Sequence, residues 1–181
     1  FMLGTIEAAT TLRPGCATGY YGYPRNYYPP GYGADAMGDI QRRQNDEISW
    51  LFEASTAVFP SIYLSILPED SRHNATTNKL YVRRVITEAI RLSGPDKVVP
   101  VTWSLYDNYP RTPRWHRLTA EDLQTEVEGP LDAGAQALLL WGATTNSTPG
   151  LSVADLQAYV ETELQPVVSK VCRKYGCVPG V

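Results

Sequence analysis

Lys97-Val98-Val99-Pro100-Val101-Thr102-Trp103-Ser104 and Ala137-Leu138-Leu139-Leu140-Trp141-Gly142 are the two stretches on which the fold turns. The first is dense in β-branched residues and the second is apolar at successive positions. Both therefore read as strands covered on two faces, as in a parallel sheet, rather than as the alternating strands of a half-solvated antiparallel one. Two further stretches behave alike: Ser61-Ile62-Tyr63-Leu64 follows Pro60, and the aromatic run Thr18-Gly19-Tyr20-Tyr21-Gly22-Tyr23 stops at Pro24.

Helical periodicity fills the intervals. Ile40, Ile48, Leu51 and Phe52 fall on one face, as do Leu80, Val85, Ile86, Ala89 and Ile90, and later Leu156, Val160, Leu164, Val167 and Val171. Thr119-Ala120-Glu121-Asp122 and Ser152-Val153-Ala154-Asp155 each carry a capping hydroxyl with a carboxylate three residues on, and Gly94-Pro95 ends the third helix. Strand and helix thus alternate in units of roughly forty residues, the size of a strand plus its crossover helix. An open doubly wound sheet and a slice of a (β/α) barrel both fit this order, but four strands cannot close a barrel. No Gly-rich phosphate fingerprint follows any strand, and Tyr20-Tyr21-Gly22-Tyr23-Pro24 crowds rings where a dinucleotide site needs bare backbone, which favours the barrel slice.

Composition sets the outer limits. The chain has 181 residues, 43% apolar and 19% charged, with 16 Lys+Arg against 19 Asp+Glu and a formal charge of -3, so it can bury a core. That balance argues against a nucleic-acid partner, no window suits a membrane-spanning helix, and no basic leader precedes an apolar run at Phe1. Cys16, Cys172 and Cys177 form no paired metal-binding motif, so neither metal nor cofactor is expected; Cys172 and Cys177 could close a small loop, or all three could be free thiols. The sequons at Asn74 and Asn146 favour a secreted glycoprotein.

In a barrel, chemistry collects at the carboxyl ends of the strands. Here those ends carry Tyr21 and Tyr23, Ser61 and Tyr63, Tyr106 and Asp107, and Trp141. Rings with a few polar handles suit sugars, whose C–H faces stack while hydroxyls are hydrogen-bonded.

These residues lie in blocks that resemble a family. Gly19-Tyr20-Tyr21-Gly22-Tyr23-Pro24, Arg43-Gln44-Asn45-Asp46-Glu47-Ile48-Ser49-Trp50-Leu51-Phe52 and Ser55-Thr56-Ala57-Val58-Phe59-Pro60-Ser61-Ile62-Tyr63-Leu64 are similar, in order and spacing, to the hyaluronidases of venoms and vertebrate tissues, glycoside hydrolase family 56. Tyr81-Val82-Arg83-Arg84-Val85, Leu105-Tyr106-Asp107 and Leu139-Leu140-Trp141 continue the likeness to about Val168.

The resemblance implies an α/β fold of parallel (β/α) units, part of a distorted TIM-type barrel, with residues 1–181 a single partial domain lacking its amino-terminal strands. An open half-barrel would expose strand edges and an apolar inner face, so the isolated chain is expected to be poorly stable and to associate. The implied activity is endo-cleavage of the β-1,4 bond after N-acetylglucosamine in hyaluronan, with chondroitin a second candidate, in a secreted or lysosomal enzyme. The substrate's acetamido oxygen serves as nucleophile, a Glu as acid/base and an Asp two residues before it as support. No Asp-x-Glu occurs in this sequence, and Glu126-Val127-Glu128 is expected mid-helix on the side away from the strand ends. The acid would lie outside this chain, which by itself would be inactive; the alternative is a catalytically inactive glycan-binding relative. By resemblance Tyr63 positions the N-acetyl group, Tyr21, Tyr23, Ser61 and Asp107 line the same wall, Trp141 floors it, and Arg84 answers the polymer's carboxylates. Arg25-Asn26 stand where the family usually has Asp-Cys, and the partner cysteine expected near Met37 is missing as well, so one family disulfide is absent as a pair.

Overall fold

The computed structural model describes residues 1–25, 39–65, 74–106, 117–142 and 152–176. In chain order these form α1 (Met2–Leu12), α2 (Asp39–Glu47), α3 (Ser49–Ala54), α4 (Ala75–Ser93), β1 (Val101–Thr102), α5 (Ala120–Asp132), β2 (Leu139–Leu140), α6 (Val153–Tyr159) and α7 (Gln165–Tyr175). The helix ends follow the expected chemistry. Thr119 accepts from the Asp122 N–H, Ser152 and Asp155 form a reciprocal capping box, and α4 stops at Gly94, whose φ of 82° only glycine adopts without strain.

All four extended segments run parallel and lie side by side in sequence order. Tyr21 bridges Phe59, Val58 bridges Val98, Ser61 bridges Val101, and β1 pairs with β2 through Val101–Leu139 and Thr102–Leu140. The regular ladder is far shorter than the apolar runs that predicted it, and proline is the reason. Between the second and third segments Val58 N–H donates to Lys97 O (2.8 Å), Val99 N–H to Val58 O (3.0 Å), Val101 N–H to Pro60 O (2.9 Å) and Ile62 N–H to Val101 O (3.1 Å). The rung that Pro60 would give to Val99 cannot form, because proline has no N–H.

The core lies between the outward side chains of these segments, such as Ile62 and Val98, and the inward faces of α4 and α5, which contribute Val82, Val85, Ile86, Leu123 and Val127. Polar side chains bolt the layers together. Asn45, buried in α2, accepts from Arg25 N–H (3.2 Å) and donates to Glu88 of α4 (3.1 Å), while Arg91 spans Glu88 (2.7 Å) and Asp46 (2.8 Å). Between α4 and α5, Asn78 donates to Asp122 (2.9 Å), whose other oxygen accepts from the Tyr106 hydroxyl. Each of these buried side chains thereby meets a partner, which avoids the desolvation penalty of leaving it alone.

Three expectations need correction. The helix of residues 40–52 is two helices broken at Ile48, and Ile40 is 64% exposed rather than on the core face. The last helix is not continuous: a π-turn over Val160–Leu164 separates α6 from α7, next to Pro166, which lacks the N–H that an unbroken α-helix would use there. Nor is the fourth apolar run covered on both sides, since Leu139 and Trp141 are each 41% exposed on their shared face.

Gly19 sits against the second segment so closely that a Cβ there would lie 2.0 Å from the Ala57 carbonyl oxygen. Backbone cannot yield as a flexible side chain does, so G19A is expected to cost about 3 kcal/mol by overpacking, read as a lowered urea midpoint with unchanged slope.

Candidate functional site

Ser61, Val101 and Leu139 occupy one register row across three adjacent segments. Two residues further on, and so on the same face of the sheet, stand Tyr63, Trp103 and Trp141. Their rings form a stack: Tyr63 and Trp103 have centroids 5.5 Å apart at 24°, Trp103 and Trp141 5.1 Å apart at 18°, and Tyr63 and Trp141 6.3 Å apart at 41°. The three rings are therefore in mutual contact, and the Trp141 indole N–H donates to the Tyr63 hydroxyl, tying those two directly. Trp103 is only 6% exposed, whereas Trp141 presents a face to solvent.

Tyr21 flanks the stack from the first segment. Its ring lies 6.3 Å from that of Tyr63, its hydroxyl donates to Ser61 Oγ (3.3 Å), and it is 54% exposed. The arrangement is a curved aromatic floor with hydroxyls at one margin, able to stack on a sugar face and bond its substituents. Among the described residues, no group of three or more His, Cys, Asp or Glu is placed to hold a metal ion.

The structure brings Tyr21, Ser61, Tyr63 and Trp141 together and places two other candidates elsewhere. Tyr23 does not follow Tyr21 onto the floor, because Gly22 at φ 81° breaks the strand alternation; its ring packs against the core cluster with the Arg25 guanidinium 5.7 Å from its centroid. Arg84 lies within α4, four residues before Glu88 and seven before Arg91, on a helix flank rather than a strand end. Asp107, Asn146 and Cys177 lie outside the described residues. Asn74 is exposed at the N-cap of α4, where its Oδ1 accepts from Thr77 N–H (3.1 Å). Cys16 is exposed, and Cys172 is half-buried.

Sequence reasoning missed two contributors. Trp103 was legible in principle, since it stands two positions past a strand residue that pairs with Ser61, but that register is a tertiary fact. Glu126 was misplaced: it is 0% exposed and faces the strands, its Oε1 accepting from Leu64 N–H (2.8 Å) and its other oxygen bonded to the Thr102 hydroxyl. The expectation that it points away from the strand ends fails because α5 turns its 122–126 edge inward.

Comparison with known proteins follows the same lines. The profile of glycosyl hydrolase family 56, hyaluronidase, matches residues 1–177. The chain is 32% identical to hyaluronidase PH-20 of Macaca fascicularis over 98% of its own length and 36% of that protein's, and 28% identical to the hyaluronidase of Apis mellifera over 94% and 44%. Among solved structures it is similar to bee venom hyaluronidase in complex with a hyaluronic acid tetramer, with a TM-score of 0.77 and 27% identity, covering 95% of this chain and 52% of that one. It thus spans between about a third and about half of the proteins it matches.

Burial is the main force on the Glu126 carboxyl and raises its pKa well above the ordinary 4.5; the nearby charge of Asp122 adds to the rise, while the bonds from Thr102 and Leu64 oppose it. The folded chain therefore holds this proton more tightly than the unfolded chain. The group's stabilising contribution is complete below the unfolded value and declines as pH climbs toward the folded one. E126Q has no such proton, so as pH rises above about 5 the wild-type urea midpoint should fall more steeply than that of the variant. Parallel curves would show that Glu126 ionises normally.

Proposed function

This chain belongs to the hyaluronidase family, glycoside hydrolase family 56, and on that basis we propose that it forms the carboxyl-terminal part of a hyaluronan-cleaving glycosidase, contributing the aromatic floor of the subsite that holds N-acetylglucosamine. The observation that carries this reading is the single row of Tyr63, Trp103 and Trp141 at the carboxyl ends of three parallel segments, with Tyr21 and Ser61 at its margin. Four parallel segments in sequence order, with helices between them, support a place within a TIM-type barrel, where such ends face the substrate.

In this proposal Trp141 stacks on the sugar ring, and its indole N–H fixes the direction in which the Tyr63 hydroxyl meets the acetamido group. That group's oxygen attacks the anomeric carbon as the glycosidic bond breaks, and the leaving oxygen takes its proton from a Glu. No Asp-x-Glu pair occurs within the 181 residues, so the proton donor is assigned to polypeptide beyond them. Asp107 joins the subsite wall. Hyaluronan is the proposed substrate, with chondroitin as the second. Secretion accords with a glycan at Asn74: attachment at Nδ2 leaves Oδ1 to cap α4. The absence of the acid from this chain also favours a second reading, a glycan-binding relative that does not catalyse.

The expected outcome is that the 181-residue chain binds hyaluronan oligosaccharides in calorimetry without cleaving them, whereas protein that includes an upstream Asp-x-Glu depolymerises hyaluronan. W141A should weaken binding about tenfold, roughly 1.4 kcal/mol, and Y63F about fivefold, roughly 1 kcal/mol for one hydrogen bond. Turnover by the chain alone would defeat the assignment of the acid. Binding without turnover by the intact natural protein would select the second reading.

A further inference from the structure

Past Ile62 the backbone donor of the second segment leaves its neighbouring strand. Donors alternate between the two segments, so after Ile62 N–H to Val101 O the next bond that the second segment would donate is Leu64 N–H to Trp103 O. Leu64 N–H instead donates to Glu126 Oε1 (2.8 Å). The second Glu126 oxygen is bonded to the Thr102 hydroxyl, which itself lies 3.3 Å from Trp103 O. A carboxyl from α5 and a hydroxyl have been inserted where one direct backbone bond belongs.

The insertion sits directly behind the aromatic floor. Leu64 follows Tyr63, Thr102 precedes Trp103, and Thr102 O accepts from the Trp141 N–H (3.1 Å). One side chain is therefore within a residue of two of the stacked rings and one hydrogen bond from the third. Side chains alternate along a strand, so Leu64 and Thr102 face the helices while Tyr63 and Trp103 face the floor. The contact from Glu126 thus bears on the strand ends that set the spacing of the three rings, whose centroids lie 5.5, 5.1 and 6.3 Å apart.

We propose that Glu126 is a positioning residue that replaces the missing rung and sets the spacing of Tyr63, Trp103 and Trp141, and so the width of sugar ring the floor accepts. One oxygen of its buried carboxyl accepts from Leu64 N–H and the other accepts from the Thr102 hydroxyl, which also lies 3.3 Å from Trp103 O. A Gln amide of the same shape keeps both contacts, its oxygen accepting from Leu64 N–H and its NH2 donating to Thr102 Oγ1 while the Thr102 hydroxyl turns to Trp103 O, whereas Leu fills the volume and makes neither. The effect on ligand rests on the sugar-floor reading; the effect on the rings does not.

The test compares wild type, E126Q, E126L and T102V in two measurements. The first is the ¹H–¹⁵N indole resonance of Trp141, assigned with W141F, with Trp50 of α3 as an internal control outside the floor. The second is calorimetric affinity for a hyaluronan tetrasaccharide. E126Q should keep the Trp141 resonance and the affinity. E126L and T102V should shift or broaden Trp141 but not Trp50, and should weaken the tetrasaccharide on the order of tenfold, the scale of misplacing a binding group by a fraction of an ångström. T102V keeps the carboxyl and removes its partner, so it decides the matter if E126L does not fold. An unmoved Trp141 in the folded variants overturns the proposal. Should wild type fail to bind the tetrasaccharide, the sugar reading falls, and the indole resonances still decide whether Glu126 spaces the rings.

Discussion

Pro60 has no N–H to give Val99, and the backbone bonds on either side of that gap, Val99 N–H to Val58 O and Val101 N–H to Pro60 O, hold the second and third segments in a single register. A slip of one residue in either segment would send its ring, Tyr63 or Trp103, to the helix side and bring Ile62 or Thr102 to the floor in its place. Register is thus the constraint on which the aromatic row depends. With a ladder this short, side chains must supply what the backbone does not.

They do so at both ends of the sheet. Near the first segment Asn45 joins the Arg25 backbone to Glu88, and Arg91 closes the arrangement onto Asp46. Near the carboxyl ends Asp122 gathers Asn78 and Tyr106, and one turn along α5 Glu126 gathers Leu64 and Thr102. Buried carboxylates are costly in isolation and become useful when every oxygen has a donor, because such networks admit only one arrangement of their partners. Several blocks that carry the family likeness are therefore scaffold: Asn45 and Asp46 hold helices, Gly19 admits the close approach of Ala57, and of the third block Tyr63 forms the floor and Ser61 its margin.

The floor itself combines rigidity with access. Trp103 is enclosed by Tyr63 and Trp141, so its ring has little freedom left to lose when a ligand stacks on its neighbours. Tyr21 and Trp141 remain partly open at the two sides. That division between a fixed centre and exposed flanks suits recognition of a ring presented within a longer polymer.

The alternation of apolar runs with helical faces determined the parallel order, because continuous apolar strands are stable only beneath crossover helices, and capping residues marked the starts of α5 and α6 because an unsatisfied N–H must find a side-chain oxygen locally. Local patterns also placed Tyr21, Tyr63 and Trp141 at strand ends. Tertiary structure alone decided which rings share a row, since the pairings of Ser61 with Val101 and of Val101 with Leu139 are made between residues about forty apart and leave no trace in either segment. It likewise turned Tyr23 away at Gly22, kept Arg84 on a helix flank and drove Glu126 beneath the sheet. Glu126 reads as a solvated helix residue until the missing rung between Leu64 and Trp103 creates a buried donor that only a carboxyl from α5 is placed to satisfy.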